Sequence, residues 1–137
     1  MEVIQQYKAS DGKMFDDEDE CLEYEAEIAA NRYQDNIACL DDNSKPIPLS
    51  DVFLYGISKV YYMKISEEGN DNFTDFSSTF LNICSTHRDY VTGLTKNRML
   101  YDGIFYYNTS SSCWVNIETE YIEMLAKYNK IKNLFIH

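Results

Sequence analysis

The chain has 137 residues, 45% of them hydrophobic and 15% aromatic, and a formal net charge of −11. That length suits a single domain, residues 1–137, able to bury roughly two thirds of its unfolded surface, and the composition excludes a disordered chain. The charge, with no basic patch, disfavours direct binding to nucleic acid or to an anionic membrane and points to a basic protein as the partner class.

In chain order, residues 2–9 read as a strand, and Ser10-Asp11-Gly12-Lys13 as the turn of a hairpin, Asp-Gly being a strong hairpin signal. Met14 and Phe15 lead into a helix over about Asp17–Tyr33, with Asp16 or Asp17 as its cap and Asp17-x-x-Glu20 imitating a capping box. At 100° per residue, Cys21, Leu22, Ile28, Ala29 and Tyr33 fall on one side of that helix. Asp16, Asp19, Glu20, Glu23 and Glu27 fall on the other, and residues 1–43 hold 13 acidic against 3 basic side chains.

Residues 37–40 suit a short strand and 42–45 a turn, while Pro46 and Pro48 restrict Ile47 to an edge strand. Ser50-Asp51 is expected to cap a short helical segment reaching Ile57. Residues 59–65 form the clearest internal strand, with Val60, Tyr62 and Ile65 competing for its buried face. Phe73, Phe76, Phe80, Ile83 and Cys84 mark a core-facing helix over residues 71–87. Residues 92–98 look irregular, 103–108 and 113–115 form a second hairpin, and Asn116 caps a final helix. In that helix Ile117, Tyr121, Met124, Tyr128, Ile131 and Phe135 recur at gaps of 4 and 3, a heptad seam. Packing on the chain's own sheet is the favoured use of the seam, and self-association through Tyr121, Met124, Tyr128, Ile131 and Phe135, giving a homodimer, is the alternative. The fold class is α+β: a small antiparallel sheet built from hairpins and packed by about three helices.

Catalytic chemistry is poorly represented. The four cysteines form no C-x-x-C pair, the glycines form no phosphate-binding loop, and the acidic runs lack the alternating ligands of a calcium loop. His137 is terminal; His87 lies three residues after Cys84, whose place in an apolar stripe marks it as a small buried hydrophobe. Neither a catalytic residue, a metal site nor a cofactor is expected. Glu25 interrupts the apolar face of the first helix. It is either a satisfied polar tie between helix and hairpin, with Arg32, Lys8 or a tyrosine hydroxyl in reach, or a buried acid with a raised pKa and a catalytic role. The twelve tyrosines suit both strands and binding faces.

The acidic helix carries the sharper functional signal. Asp16, Asp19, Glu20, Glu23 and Glu27, with Tyr24 beside them, would present a row of charges to a groove lined with lysine and arginine; the alternative is a solvated face that only confers solubility. No signal peptide or membrane-length apolar run is evident, so a cytoplasmic protein with reduced thiols is expected.

The segment Tyr7-Lys8-Ala9-Ser10-Asp11-Gly12-Lys13-Met14-Phe15, followed by Cys21-Leu22-Glu23-Tyr24-Glu25, resembles the opening of small acidic proteins of Firmicutes phages and mobile elements. The later strand at 60–65, Ile104 to Asn108, Trp114 and the long last helix are similar in style to the rest of such proteins. The resemblance implies a phage-encoded anti-defence factor of anti-CRISPR type, an acidic nucleic-acid mimic acting in the host cytoplasm, and it transfers no functional residues. Two further functions fit the sequence: an immunity or antitoxin-like protein neutralising a basic toxin, and a protein that sequesters a defence signalling nucleotide using Lys96, Arg98 and the tyrosines of the second hairpin.

Overall fold

The computed structural model describes residues 6–69, 73–86, 91–97 and 99–136. Among the described residues thirteen elements follow in order. They are β1 (Tyr7–Lys8), β2 (Met14–Phe15), α1 (Glu18–Tyr33), β3 (Ile37–Leu40), β4 (Pro46–Ile47), α2 (Leu49–Tyr55) and β5 (Tyr62–Ile65). After them come α3 (Phe73–Thr86), β6 (Thr95–Lys96), β7 (Met99–Leu100), β8 (Gly103–Asn108), β9 (Cys113–Asn116) and α4 (Ile117–Asn133). The α+β class and the antiparallel pairing match the expectation from sequence.

The main sheet has the order β4-β3-β5-β8-β9. Its outer pairs, β3–β4 and β8–β9, are local hairpins, whereas the central β5–β8 pairing closes only after α3 and the β6–β7 ribbon have intervened. Proline at both ends of Ile47 confines β4 to the edge, where a missing N–H breaks no ladder.

Register separates the two faces. Cys39, Met63, Phe105 and Asn116 lie in one cross-strand row on the inner face, with Ile37 opposite Ile65 and Tyr107 opposite Trp114. These inner residues join Ala26, Ala30 and Tyr33 of α1, Val52 and Phe53 of α2, and Phe73, Phe76, Phe80 and Cys84 of α3 in a single core. In the stretch from Val60 to Ile65, the buried residues are Val60, Met63 and Ile65, while Tyr62 faces outward, so the expected competition is resolved against Tyr62.

The predicted core face of α1 is rotated in the structure. Ala26 and Ala30 are buried beside Cys21 and Tyr33, while Leu22 remains 50% exposed. Small side chains let α1 approach α2 closely, and alanine carries too little apolar surface to mark a face in a pattern count. The cap of α2 is also corrected: its N-cap is Pro48, without a side-chain hydrogen bond, and Ser50 and Asp51 lie inside the helix. The irregular stretch expected at 92–98 contains the β6 strand of a two-stranded ribbon. Gly93 anchors its approach to the sheet. Its φ is +94°, and a Cβ there would lie 1.8 Å from the Trp114 carbonyl oxygen, so only glycine fits.

The largest correction concerns α4. Asn116 caps it as predicted, accepting from the N–H groups of Glu118 and Thr119 at 2.9 and 3.1 Å. Beyond its root beside β8 and β9, however, the helix leaves the domain, and no residue of α4 is buried. The favoured expectation, that its heptad seam packs on the chain's own sheet, is therefore overturned. Three helices already cover the inner face, and α4 meets the sheet only through its first turns.

Candidate functional site

The first hairpin and α1 together build the acidic region. Tyr7 pairs with Phe15 and Lys8 with Met14, and Gly12, at φ +93°, turns the chain between them. The α1 helix starts where Asp17 accepts from the N–H of Asp19 at 2.8 Å, and the cluster Glu18, Asp19 and Glu20 sits in the first turn, where the helix dipole favours negative charge.

Three contacts lock the hairpin to this helix. Glu25 accepts from the Ser10 hydroxyl at 2.9 Å and from the Ser10 backbone N–H, Tyr24 donates its hydroxyl to Asp11, and the Tyr24 ring meets Phe15 at 5.1 Å. The Lys13 ammonium lies 4.6 Å from the Tyr24 ring centre. Glu25 is thus the polar tie between helix and hairpin, with Ser10 rather than Arg32, Lys8 or a tyrosine as its partner. Tyr24, expected in the binding row, is half-buried, and its hydroxyl and ring serve the hairpin.

The Tyr24 hydroxyl, and after it the Lys13 backbone N–H, hold the Asp11 carboxyl below the usual carboxylate range, while the same bond raises Tyr24. A depressed carboxylate adds stability that is complete above its unfolded pKa and disappears as pH falls through the folded one. Asp11→Asn should accordingly flatten the loss of stability below about pH 4, measured by denaturant unfolding across the acid range.

Asp19, Glu20, Glu23 and Glu27 are all exposed along α1. Asp16 is exposed too, but it precedes the cap and accepts from Gln6 Nε2 at 3.3 Å, so the acidic row begins in the connection and continues onto the helix. No ion pair among the described residues engages these carboxylates. Glu23 and Glu27 also line a shallow groove between α1 and α2, together with Asp51, Leu54 and Tyr55. Asp51 extends the acidic surface, and Tyr55, 65% exposed, places an aromatic ring at its edge. Sequence reasoning missed both because it assigned Asp51 to capping; only the docking of α2 on α1 brings them to the row.

Other candidate chemistry lies apart. Cys84 is fully buried, and His87 falls outside the described residues, as do Arg98 and His137. Lys96 is exposed on β6. The hollow beside the second hairpin is lined by Tyr101, Trp114 and Asn116 but also by Glu120 and Glu123, a lining of the wrong charge for a nucleotide phosphate. Among the described residues no group of three or more histidine, cysteine or acidic side chains is placed to hold a metal ion. No helix among them is long and apolar enough to cross a membrane.

The thiols differ sharply in access. Cys21, Cys39 and Cys84 are buried, burial pushes Cys39 up to about 12, and Cys113 alone of the four is partly exposed, beside the Ser111 hydroxyl at 3.1 Å. A native thiol titration should give one fast-reacting group per chain, and Cys113→Ser should abolish that phase.

No protein-family model, curated protein or solved structure matches this chain.

Proposed function

We propose that this is a non-enzymatic acidic binding protein that occupies the nucleic-acid-binding groove of a basic host protein, its α1 carboxylates standing where phosphates would lie. The observation that carries this reading is the exposed row Asp16, Asp19, Glu20, Glu23 and Glu27, extended by Asp51 and engaged by no ion pair among the described residues. Neighbours three or four apart on a helix are about 5–6 Å apart at Cβ. Phosphate charges along a strand recur on a comparable scale, about every 3.4 Å of axis. Crowding like charges in this way costs stability, roughly 0.2–0.5 kcal/mol per i, i+4 pair, and solubility alone does not require it.

Together with the resemblance of residues 7–15 and 21–25 to phage and mobile-element proteins, this supports a phage-encoded, anti-CRISPR-like inhibitor of a nucleic-acid-binding defence protein, working in the host cytoplasm. Tyr55 replaces Tyr24 as the aromatic neighbour of the row. The test is affinity capture from host lysate at low and high salt. A nucleic-acid-handling protein retained at low salt and released at high salt is the expected result. Capture of a basic toxin would reassign the same face to an immunity role, and capture of no basic protein would remove the reading.

A further inference from the structure

The last helix presents an apolar seam that its own domain leaves bare. Tyr121 is 65% exposed, Met124 63%, Tyr128 59% and Phe135 80%, and Ile131 and Leu125 are exposed beside them. A 17-residue helix with tyrosine, asparagine and β-branched residues and no buried side chain lacks the packing that holds most protein helices together. The outer face of the sheet at its root is covered only in part, with Leu40, Tyr106 and Val115 half-buried. Register places Leu40, Tyr62, Tyr106 and Val115 in one row there and Ala38, Lys64 and Ile104 in the next, with Tyr62 and Ile104 among the exposed large hydrophobics.

We infer that this surface is covered by a second copy of the chain, the two α4 helices pairing antiparallel about a two-fold axis. The charges on α4 select that occupant and its direction. Glu118, Glu120 and Glu123 lie in the first half of the helix, and Lys127, Lys130 and Lys132 in the second, so each helix is complementary to itself reversed. With the seam as heptad positions a and d, antiparallel overlap stacks Tyr121 on the partner's Ile131 and Met124 on the partner's Tyr128, and sets Ile117 level with the partner's Phe135, two residues past the helix end. On one flank Glu118 then meets the partner's Lys132, twice by symmetry, and Leu125 meets the partner's Leu125. On the other, Lys127 meets the partner's Lys127, and Glu120, which accepts from the Tyr106 hydroxyl at 2.5 Å, lies beside the partner's Leu134.

A parallel pair forms no opposite-charge contact and sets Lys127 against the partner's Lys132 twice, with the helix dipoles aligned as well. The antiparallel arrangement has the better balance, and it brings the partner's Phe135 level with Ile117, at the edge of the partly exposed sheet face. This inference is independent of the role of α1, and the two fail separately. If both hold, the dimer carries two acidic rows, one at each end of the paired helices.

Sedimentation of the full chain over a concentration series should give a species of twice 16.0 kDa that dissociates on dilution, with loss of far-UV helical signal as α4 comes apart. Met124→Lys with Ile131→Lys should give a monomer whose near-UV signal from Trp114 is unchanged. Orientation is read from one charge reversal. Lys132→Glu should weaken dimerisation on the order of tenfold by replacing two attractive contacts with repulsive ones, and adding Glu118→Lys should restore it. A chain that stays monomeric at high concentration overturns the proposal, and so does a dimer tightened by Lys132→Glu, the response of a parallel pair.

Discussion

Phe76→Ala should lower folding stability by about 3–5 kcal/mol, the range for removing a fully buried aromatic ring. Phe76 is completely enclosed, with ring centres of Tyr33 at 4.4 Å, Phe80 at 5.6 Å, Phe73 at 5.7 Å and Phe53 at 6.2 Å. It touches aromatic rings from α1, α2 and α3, so its loss opens a cavity at the junction of the three helices that cover the sheet. Domains of this size have roughly 5–15 kcal/mol in total, and the melting temperature should fall by about 10–20 °C. Leu22→Ala is the matched control. Leu22 is 50% exposed, and its truncation should stay within about 0.5 kcal/mol. The contrast separates the observed core from the one an amphipathic count of α1 suggests.

The second large effect belongs to the acidic row and should spare the fold. Changing Asp16 and Asp19 to Asn and Glu20, Glu23 and Glu27 to Gln removes five of the charges that make up the net −11. Two opposing terms then nearly cancel. Like-charge repulsion between Asp19 and Glu23 and between Glu23 and Glu27 is relieved, at roughly 0.2–0.5 kcal/mol a pair. The favourable interaction of Asp19 and Glu20 with the helix dipole is lost, at about 0.3–1 kcal/mol each. The unfolding midpoint should hardly move, whereas association with a basic partner at low salt should slow by about tenfold or more. Asp17 and Glu25 are left in place because one caps α1 and the other binds Ser10.

Local chemistry explains which features could be read from sequence. The Asp-Gly turn, the Asp17 and Asn116 caps, the prolines around Ile47 and the phenylalanine stripe of α3 are each fixed by residues within a few positions, and each is found as expected. The features that escaped depend on tertiary docking. Ala26 and Ala30 become core only because α2 lies against them, Asp51 and Tyr55 join the acidic surface by the same contact, and Ser10 reaches Glu25 only once the hairpin folds back on α1. The α4 seam was visible as a period, but a period specifies that an apolar face exists without specifying what covers it. Three helices occupy the inner face of the sheet, and α4 leaves the outer face after its first turns.

The role of α1 as a phosphate surrogate is tested most directly by competition on a single captured partner. A labelled nucleic acid bound to that partner should be displaced stoichiometrically by the wild-type protein and far less by the five-fold neutral variant, with displacement fading as salt is raised. A stable ternary complex in which the partner holds the nucleic acid and this protein together, or equal displacement by both forms, would contradict it.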